Sequence, residues 1–159
     1  MTTDNDRLRA EQWMRHAIEL SARCQPSPGA YSVGAVIVGA DGTELAAGYS
    51  REEHPREHAE EAALRKVPTD DPRLKTAVLY STLEPCTQRS ADRTPCTYRV
   101  MEAGIPHVVI AWREPAGFVE DCTGVEELRA AGVTVTELPE LADQVRAVNE
   151  HLPHLGETR

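Results

Sequence analysis

At 159 residues the chain has the length of one domain with its own core, and its 40% hydrophobic content includes no apolar run that approaches a membrane span. The formal charge of −9 argues against a nucleic-acid polymer as partner, because polyanion binders draw most of their affinity from a basic face. Met1 through Asp6 is polar and acidic, unlike an export signal. A cytoplasmic chain follows, with cysteines that are thiols or metal ligands rather than disulfide partners.

The spacing of Leu8, Trp13, Met14, Ala17, Ile18 and Leu20 predicts a helix from Asp6 to about Cys24. Gln25-Pro26-Ser27-Pro28-Gly29 stops it. Tyr31 to Gly39, rich in valine and isoleucine, and Glu44 to Tyr49 read as an antiparallel hairpin around Ala40-Asp41-Gly42-Thr43. A short helix is predicted over His58 to Lys66, ended by Pro68, and a third strand over Ala77 to Thr82. The loop Glu84 to Pro95 leads into a helix over Cys96 to Ala103, closed by Gly104. A strand over His107 to Trp112, a helix over Val125 to Ala131, a strand over Val133 to Thr136 and a final helix over Leu138 to Leu152 complete the order. Strands alternating with helices after a hairpin predict one α/β domain, residues 1–159, with a core over about 6–137 and a C-terminal helix over 138–152.

Three residues in this order could hold a metal: His58, Cys86 after Pro85, and Cys96 after Pro95. One imidazole and two thiolates are zinc ligands, and catalytic zinc uses three protein ligands and keeps a fourth position for water. Glu60 would stay off the metal and carry protons, while activated water attacks the ring carbon that bears an amine. Zn²⁺ with two thiolates and neutral imidazole is formally neutral, so a separate base is useful. There is one geometric obstacle: residues two apart in a regular helix point about 200° from each other. His58 and Glu60 share a site only if the helix entry is irregular or the ion lies over its end. A structural zinc would need a fourth ligand, for which His54 is the nearest candidate. Cys24 and Cys122 read as buried thiols.

From Tyr31 to about Thr136 the sequence resembles the cytidine-deaminase-like superfamily, on Val33-Gly34-Ala35-Val36-Ile37-Val38, Ala47-Gly48-Tyr49, His58-Ala59-Glu60 and Thr82-Leu83-Glu84-Pro85-Cys86. The resemblance implies a three-layer α/β/α sandwich with a five-stranded mixed sheet, zinc-dependent hydrolytic deamination, and a homo-oligomer, in the simplest case a dimer. Within the superfamily the likeness is to the deaminase domain of bifunctional riboflavin-biosynthesis enzymes, on Arg93-Thr94-Pro95-Cys96, Ala103-Gly104, Glu114-Pro115 and Ala131-Gly132-Val133. It implies that the wide Cys86–Cys96 interval is a subfamily trait and its loop a substrate lid. The chain departs from that subfamily at Gly29-Ala30-Tyr31-Ser32, at Ser50 and at Thr87-Gln88-Arg89, and the expectation is a deaminase domain without the reductase.

The expected ligand is a small nucleobase, nucleoside or nucleotide: a pyrimidine nucleotide or riboflavin-pathway aminopyrimidine first, then deoxycytidylate, guanine or a specialised metabolite. Ser32 and Ser50 lie where the family contacts base or ribose, and Gly34 would let backbone approach a ligand. Arg89 and Arg93, which flank Asp92, either grip an anionic group of the substrate or form a solvated loop with a local ion pair. Trp112 could stack on a ring, though burial is the simpler role. Two further classes compete with the enzyme: a non-catalytic zinc-stabilised interaction domain, which has no use for Glu60, and a redox protein joining Cys86 to Cys96.

Overall fold

The computed structural model describes residues 3–87, 89, 93–115 and 122–152. Helix α1 (Asp4–Ser21) opens earlier than its apolar periodicity implies because Thr3 caps it. The Thr3 hydroxyl accepts the Asp6 amide at 3.1 Å, and the Asp6 carboxylate accepts the Thr3 amide at 3.3 Å. Met14, Ala17, Ile18 and Ser21, at helical spacing, form its buried stripe.

Strands β1 (Gly34–Val38) and β2 (Glu44–Tyr49) pair antiparallel across a turn in which Gly42 has φ of 85°. β1 also runs antiparallel to β3 (Val78–Leu83). β3, β4 (His107–Trp112) and β5 (Thr134–Glu137) are mutually parallel, so the sheet is mixed, in the order β2-β1-β3-β4-β5. Between strands come α2 (Ala59–Leu64), α3 (Cys96–Ala103) and α4 (Gly124–Ala130), with α5 (Ala142–Val148) after β5. Gly104 ends α3 in the left-handed conformation at φ 77°. β1 is buried throughout, as are all but the first residues of β3 and β4, so the core lies on both sides of the central strands.

Two glycines fix the layering. A Cβ on Gly34 would overlap the carbonyl oxygen of Ala17 in α1, and one on Gly48 would lie 2.6 Å from Ala62 Cβ in α2. Gly34 is opposite Tyr49 in the ladder, and Gly48 is the next residue along β2, so the two point to opposite faces. Helices α1 and α2 therefore cover opposite sides of the sheet, which gives the three-layer α/β/α arrangement.

The boundaries differ from the sequence reading in two informative places. The first strand begins at Gly34 rather than Tyr31, because side chains bond the Tyr31 carbonyl, the Ser32 amide and carbonyl and the Val33 amide, while the Val33 carbonyl accepts the Ser50 amide at 3.0 Å. Ser32 N–H donates to Asn149 Oδ1 at 2.7 Å and Val33 N–H to Ser50 Oγ at 2.9 Å. The final helix is also shorter: Pro139–Leu141 is a 3-10 turn, and α5 ends at Val148. No helix among the described residues is long and apolar enough to cross a membrane.

Gly34, expected to admit a ligand, instead admits α1. Gly34→Ala should lower stability by about 1–3 kcal/mol through overpacking, read as a fall in urea midpoint at unchanged m-value.

Candidate active site

Chain segments at one end of the sheet enclose a cavity of about 340 Å³, within the range of small-molecule sites. Ser50 and Arg51 follow β2, Leu83 closes β3 with Glu84 and Cys86 just beyond, and Glu114 follows β4. Because β1 is antiparallel, its entry is at the same end, and Gly29, Ala30, Tyr31 and Val33 complete that wall. His58, Ala59 and Glu60 contribute from the start of α2.

His58 is the N-cap of α2, with extended backbone at φ −87° and ψ 159°. This removes the obstacle of the 200° separation. His58 lies outside the helix, so its ring and the Glu60 carboxylate line one cavity. Cys96 is the first residue of α3 after the N-cap Pro95, whose missing amide costs little at a helix start.

The ligand atoms of His58, Cys86 and Cys96 all lie within 4.8 Å of one another. His58 Nδ1 is 3.6 Å from Cys86 Sγ and 3.4 Å from Cys96 Sγ. Tetrahedral zinc, with Zn–S of about 2.3 Å and Zn–N of about 2.0 Å, separates sulfur from nitrogen by about 3.5 Å. The donor set fits zinc in both chemistry and spacing. His54 is engaged elsewhere, its Nδ1 with Arg93 Nη2 at 3.1 Å. No disulfide joins Cys86 to Cys96, since both are free and turned toward the imidazole.

Left to themselves, the thiols share a proton. The Cys96 hydrogen bond draws the Cys86 thiol down, with His58 assisting, and pushes Cys96 up. The Cys96 amide also donates to Cys86 Sγ at 3.3 Å, a bond that favours thiolate. Burial pushes Glu60 up to about 7, opposed by His58; a dication beside it would lower that value.

Its neighbour has the opposite surroundings. Glu61 accepts the His58 amide at 3.0 Å and Arg89 Nη1 at 2.5 Å, with Arg99 at 3.2 Å and Arg93 at 3.7 Å. Burial works against its charge, yet the bonds from the His58 amide and Arg89 hold its carboxyl below the usual value. Arg89 is not a solvated loop residue. Its guanidinium side chain is 6% exposed and donates also to the carbonyls of Thr94 and Arg56.

Of the expected substrate contacts, Ser50 and Arg89 line the cavity. Ser32 and Gly34 do not: Ser32 offers its backbone to Asn149, and Gly34 N–H donates to Thr82 Oγ1 at 3.2 Å. Arg93 lies beside the cavity, on Glu61 and His54. Asp92 and part of the expected lid fall outside the described residues. Trp112 is buried, edge-on to Tyr31 at 5.9 Å, and is not a cavity residue.

Glu84, Glu114 and Arg51 are among the cavity residues that carried no role in the sequence reading. Glu84, 2% exposed, accepts the amides of Glu114 at 3.0 Å and Val125 at 2.9 Å, tying the segments after β4 to the Cys86 loop. Glu114, 5% exposed, is pushed up to about 7 by burial. Arg51 has φ of 58°. Neither a lone glutamate nor an arginine after a strand carries a signal in sequence.

Glu61 joins the backbone of one metal ligand to the loop between the other two. Glu61→Ala should weaken zinc binding by about tenfold, as loss of a supporting partner does, measured by chelator competition; a protein that keeps its zinc as tightly would refute the role.

Comparison with known proteins agrees with this geometry. A diaminohydroxyphosphoribosylamino-pyrimidine deaminase of Schizosaccharomyces pombe is 38% identical over 149 residues, covering 90% of this chain and 36% of that protein. The bifunctional diaminohydroxyphosphoribosylaminopyrimidine deaminase/5-amino-6-(5-phosphoribosylamino)uracil reductase of Thermotoga maritima superposes with a TM-score of 0.74 at 36% identity, over 89% of this chain and 39% of that one. The Rib2 deaminase of Aspergillus oryzae, at 22% identity, shares the fold with a TM-score of 0.79 over 94% of this chain and 97% of that one. The chain thus spans little more than a third of the length of the S. pombe and T. maritima proteins. The family model for the cytidine and deoxycytidylate deaminase zinc-binding region matches residues 8–112, and with His58, Cys86 and Cys96 gathered at zinc spacing, the chain belongs to that family of zinc-dependent deaminases.

Proposed function

We propose that the chain hydrolyses the exocyclic amine of an aminopyrimidine carrying a ribose phosphate, replacing C–NH₂ by C=O and releasing ammonia. The observation that carries this reading is Glu60, a cavity-wall carboxylate only 4% exposed, two residues from a metal-ligand candidate. A purely structural zinc has four closed ligands and no use for an acid held there.

His58, Cys86 and Cys96 would hold zinc, which would supply an acidified water as nucleophile. Glu60 is the proton carrier. Its carboxylate takes the first proton of the attacking water and passes it to a ring nitrogen, then takes the proton of the new C–OH group and gives it to the departing amine, leaving C=O and ammonia. Ser50 and Glu114 offer polar groups on the cavity wall. A carboxylate there suits a ring rich in N–H donors, as an aminopyrimidine is.

The S. pombe and T. maritima relatives support the substrate class. So does the charge beside the cavity, where Arg89, Arg93 and Arg99 surround the single carboxylate of Glu61 and leave two positive charges in excess. Guanidinium groups suit phosphate oxygens. Arg89 spends its donors on the protein and Arg99 turns its own to Glu61 and the Thr94 carbonyl, so Arg93, with its longer 3.7 Å contact to Glu61, is the phosphate contact of this reading. The reading includes one domain over 1–159, a cytoplasmic location, for which four free cysteines speak, and a homodimer, for which the exposed Tyr98 of α3 offers apolar surface.

Zinc-loaded protein should release ammonia from the diaminopyrimidine ribose phosphate faster than from deoxycytidylate or guanine. Glu60→Ala should abolish release, by about 100-fold or more, while elemental analysis still finds one zinc; Cys96→Ala should lose the metal itself. Zinc retained in full after Cys96→Ala, or undiminished ammonia without Glu60, contradicts the mechanism. Arg93→Ala should lower kcat/KM by about tenfold for the phosphorylated substrate and leave the dephosphorylated one unchanged. An equal fall for both rules out the phosphate contact.

A further inference from the structure

The cavity wall formed by residues 29–33 belongs to no helix or strand, and its backbone pairing among the described residues is a bridge between Ser27 and Ala30 and the bond from the Ser50 amide to the Val33 carbonyl at 3.0 Å. Backbone that is buried without a ladder must find its hydrogen bonds elsewhere. Ser50 serves Val33, and for Tyr31 and Ser32 two side chains from other parts of the chain provide them. Asn149, 1% exposed, accepts the Ser32 amide at 2.7 Å and donates to the Ser32 carbonyl at 3.2 Å, while its Nδ2 also reaches the Val145 carbonyl at 3.0 Å. Both of its amide functions are thereby used, and they join the end of α5 to the wall in one register.

Arg51 grips the same segment from the other side. Its Nη1 donates to the Tyr31 carbonyl at 3.3 Å, and its Nη2 to the Gln25 carbonyl at 3.0 Å and to Cys24 Sγ at 2.8 Å. Arg51 is also the only non-glycine residue with positive φ among those described, at 58°, and its amide is held by the Glu57 carbonyl at 2.7 Å. A long side chain holds that conformation only where its surroundings over-determine it, and such strain collects at functional sites. The strained turn aims the guanidinium at the wall while the residue itself lines the cavity.

The geometry points to Arg51 and Asn149 as positioning residues that clamp the 29–33 wall and so set how tightly the substrate ring is held, without touching the zinc ligands or Glu60. The identity of the substrate in this inference rests on the function proposed above; the clamp itself does not.

The test compares the zinc-loaded wild type with Arg51→Gly, Arg51→Lys and Asn149→Ala. Glycine at 51 accepts positive φ without strain, so its effect reports the lost guanidinium rather than a distorted backbone. For Arg51→Gly and Asn149→Ala, KM for the diaminopyrimidine ribose phosphate should rise about tenfold, the cost of an unmade buried hydrogen bond, with kcat within about twofold and zinc content unchanged. Arg51→Lys, which keeps one donor and the charge, should recover part of the loss. In hydrogen exchange, the Ser32 amide should lose protection while amides of α1 and β4 keep theirs.

Unchanged KM and unchanged Ser32 exchange would overturn the inference. So would a joint fall of kcat, zinc content and protection across the sheet, the pattern of a merely structural role. Should the wild type fail to turn over this substrate, the proposed function fails, and the exchange result alone decides the clamp.

Discussion

The backbone of His58 is extended rather than helical, and the chemistry of the cavity depends on it. A residue inside α2 could not share a surface with the residue two positions later. As an N-cap, His58 turns its ring toward Cys86 and Cys96 while Glu60, in the first turn, faces the same space. The cap is held by Glu61, which takes the His58 amide, and the same carboxylate anchors Arg89 of the inter-cysteine loop. One carboxylate thus fixes the imidazole and the loop carrying both thiols in a common frame.

Adjacent glutamates in one short helix consequently have opposite physics. Roughly 100° of helical rotation separates them. Glu61 is turned toward three guanidinium groups and stays ionised. Glu60 is turned into a buried cavity where desolvation favours its protonated form. A group that must both take and give a proton is better served by the second setting than the first. The closed faces of the sheet serve this end: α1 against Gly34 and α2 against Gly48 bring the helices close enough to shut out solvent.

Order along the chain was readable wherever a local signal exists. The turn at Gly42, the stop at Gly104 and the hairpin come from residue types whose backbone preferences act over a few positions. The reading of Tyr31 to Gly39 as strand throughout went too far at its start, because the apolar pattern there says nothing of Asn149, more than a hundred residues away, which takes the backbone groups a strand partner would have used. Gly34, assigned to ligand approach, is not among the residues lining the cavity, and a Cβ there would meet Ala17: a glycine permits close contact but does not say with what.

From the sequence alone came the donor types and their order. An imidazole, two thiols and a nearby carboxylate limit the metal to zinc-like ions whatever the fold around them. Only the tertiary structure decided which further groups share the cavity. Glu114 after β4, Arg51 after β2 and the 29–33 wall before β1 meet there because antiparallel and parallel strands bring their ends to one edge of the sheet. That meeting depends on strand direction and register, which are properties of the assembled sheet and leave no mark on any single stretch of chain.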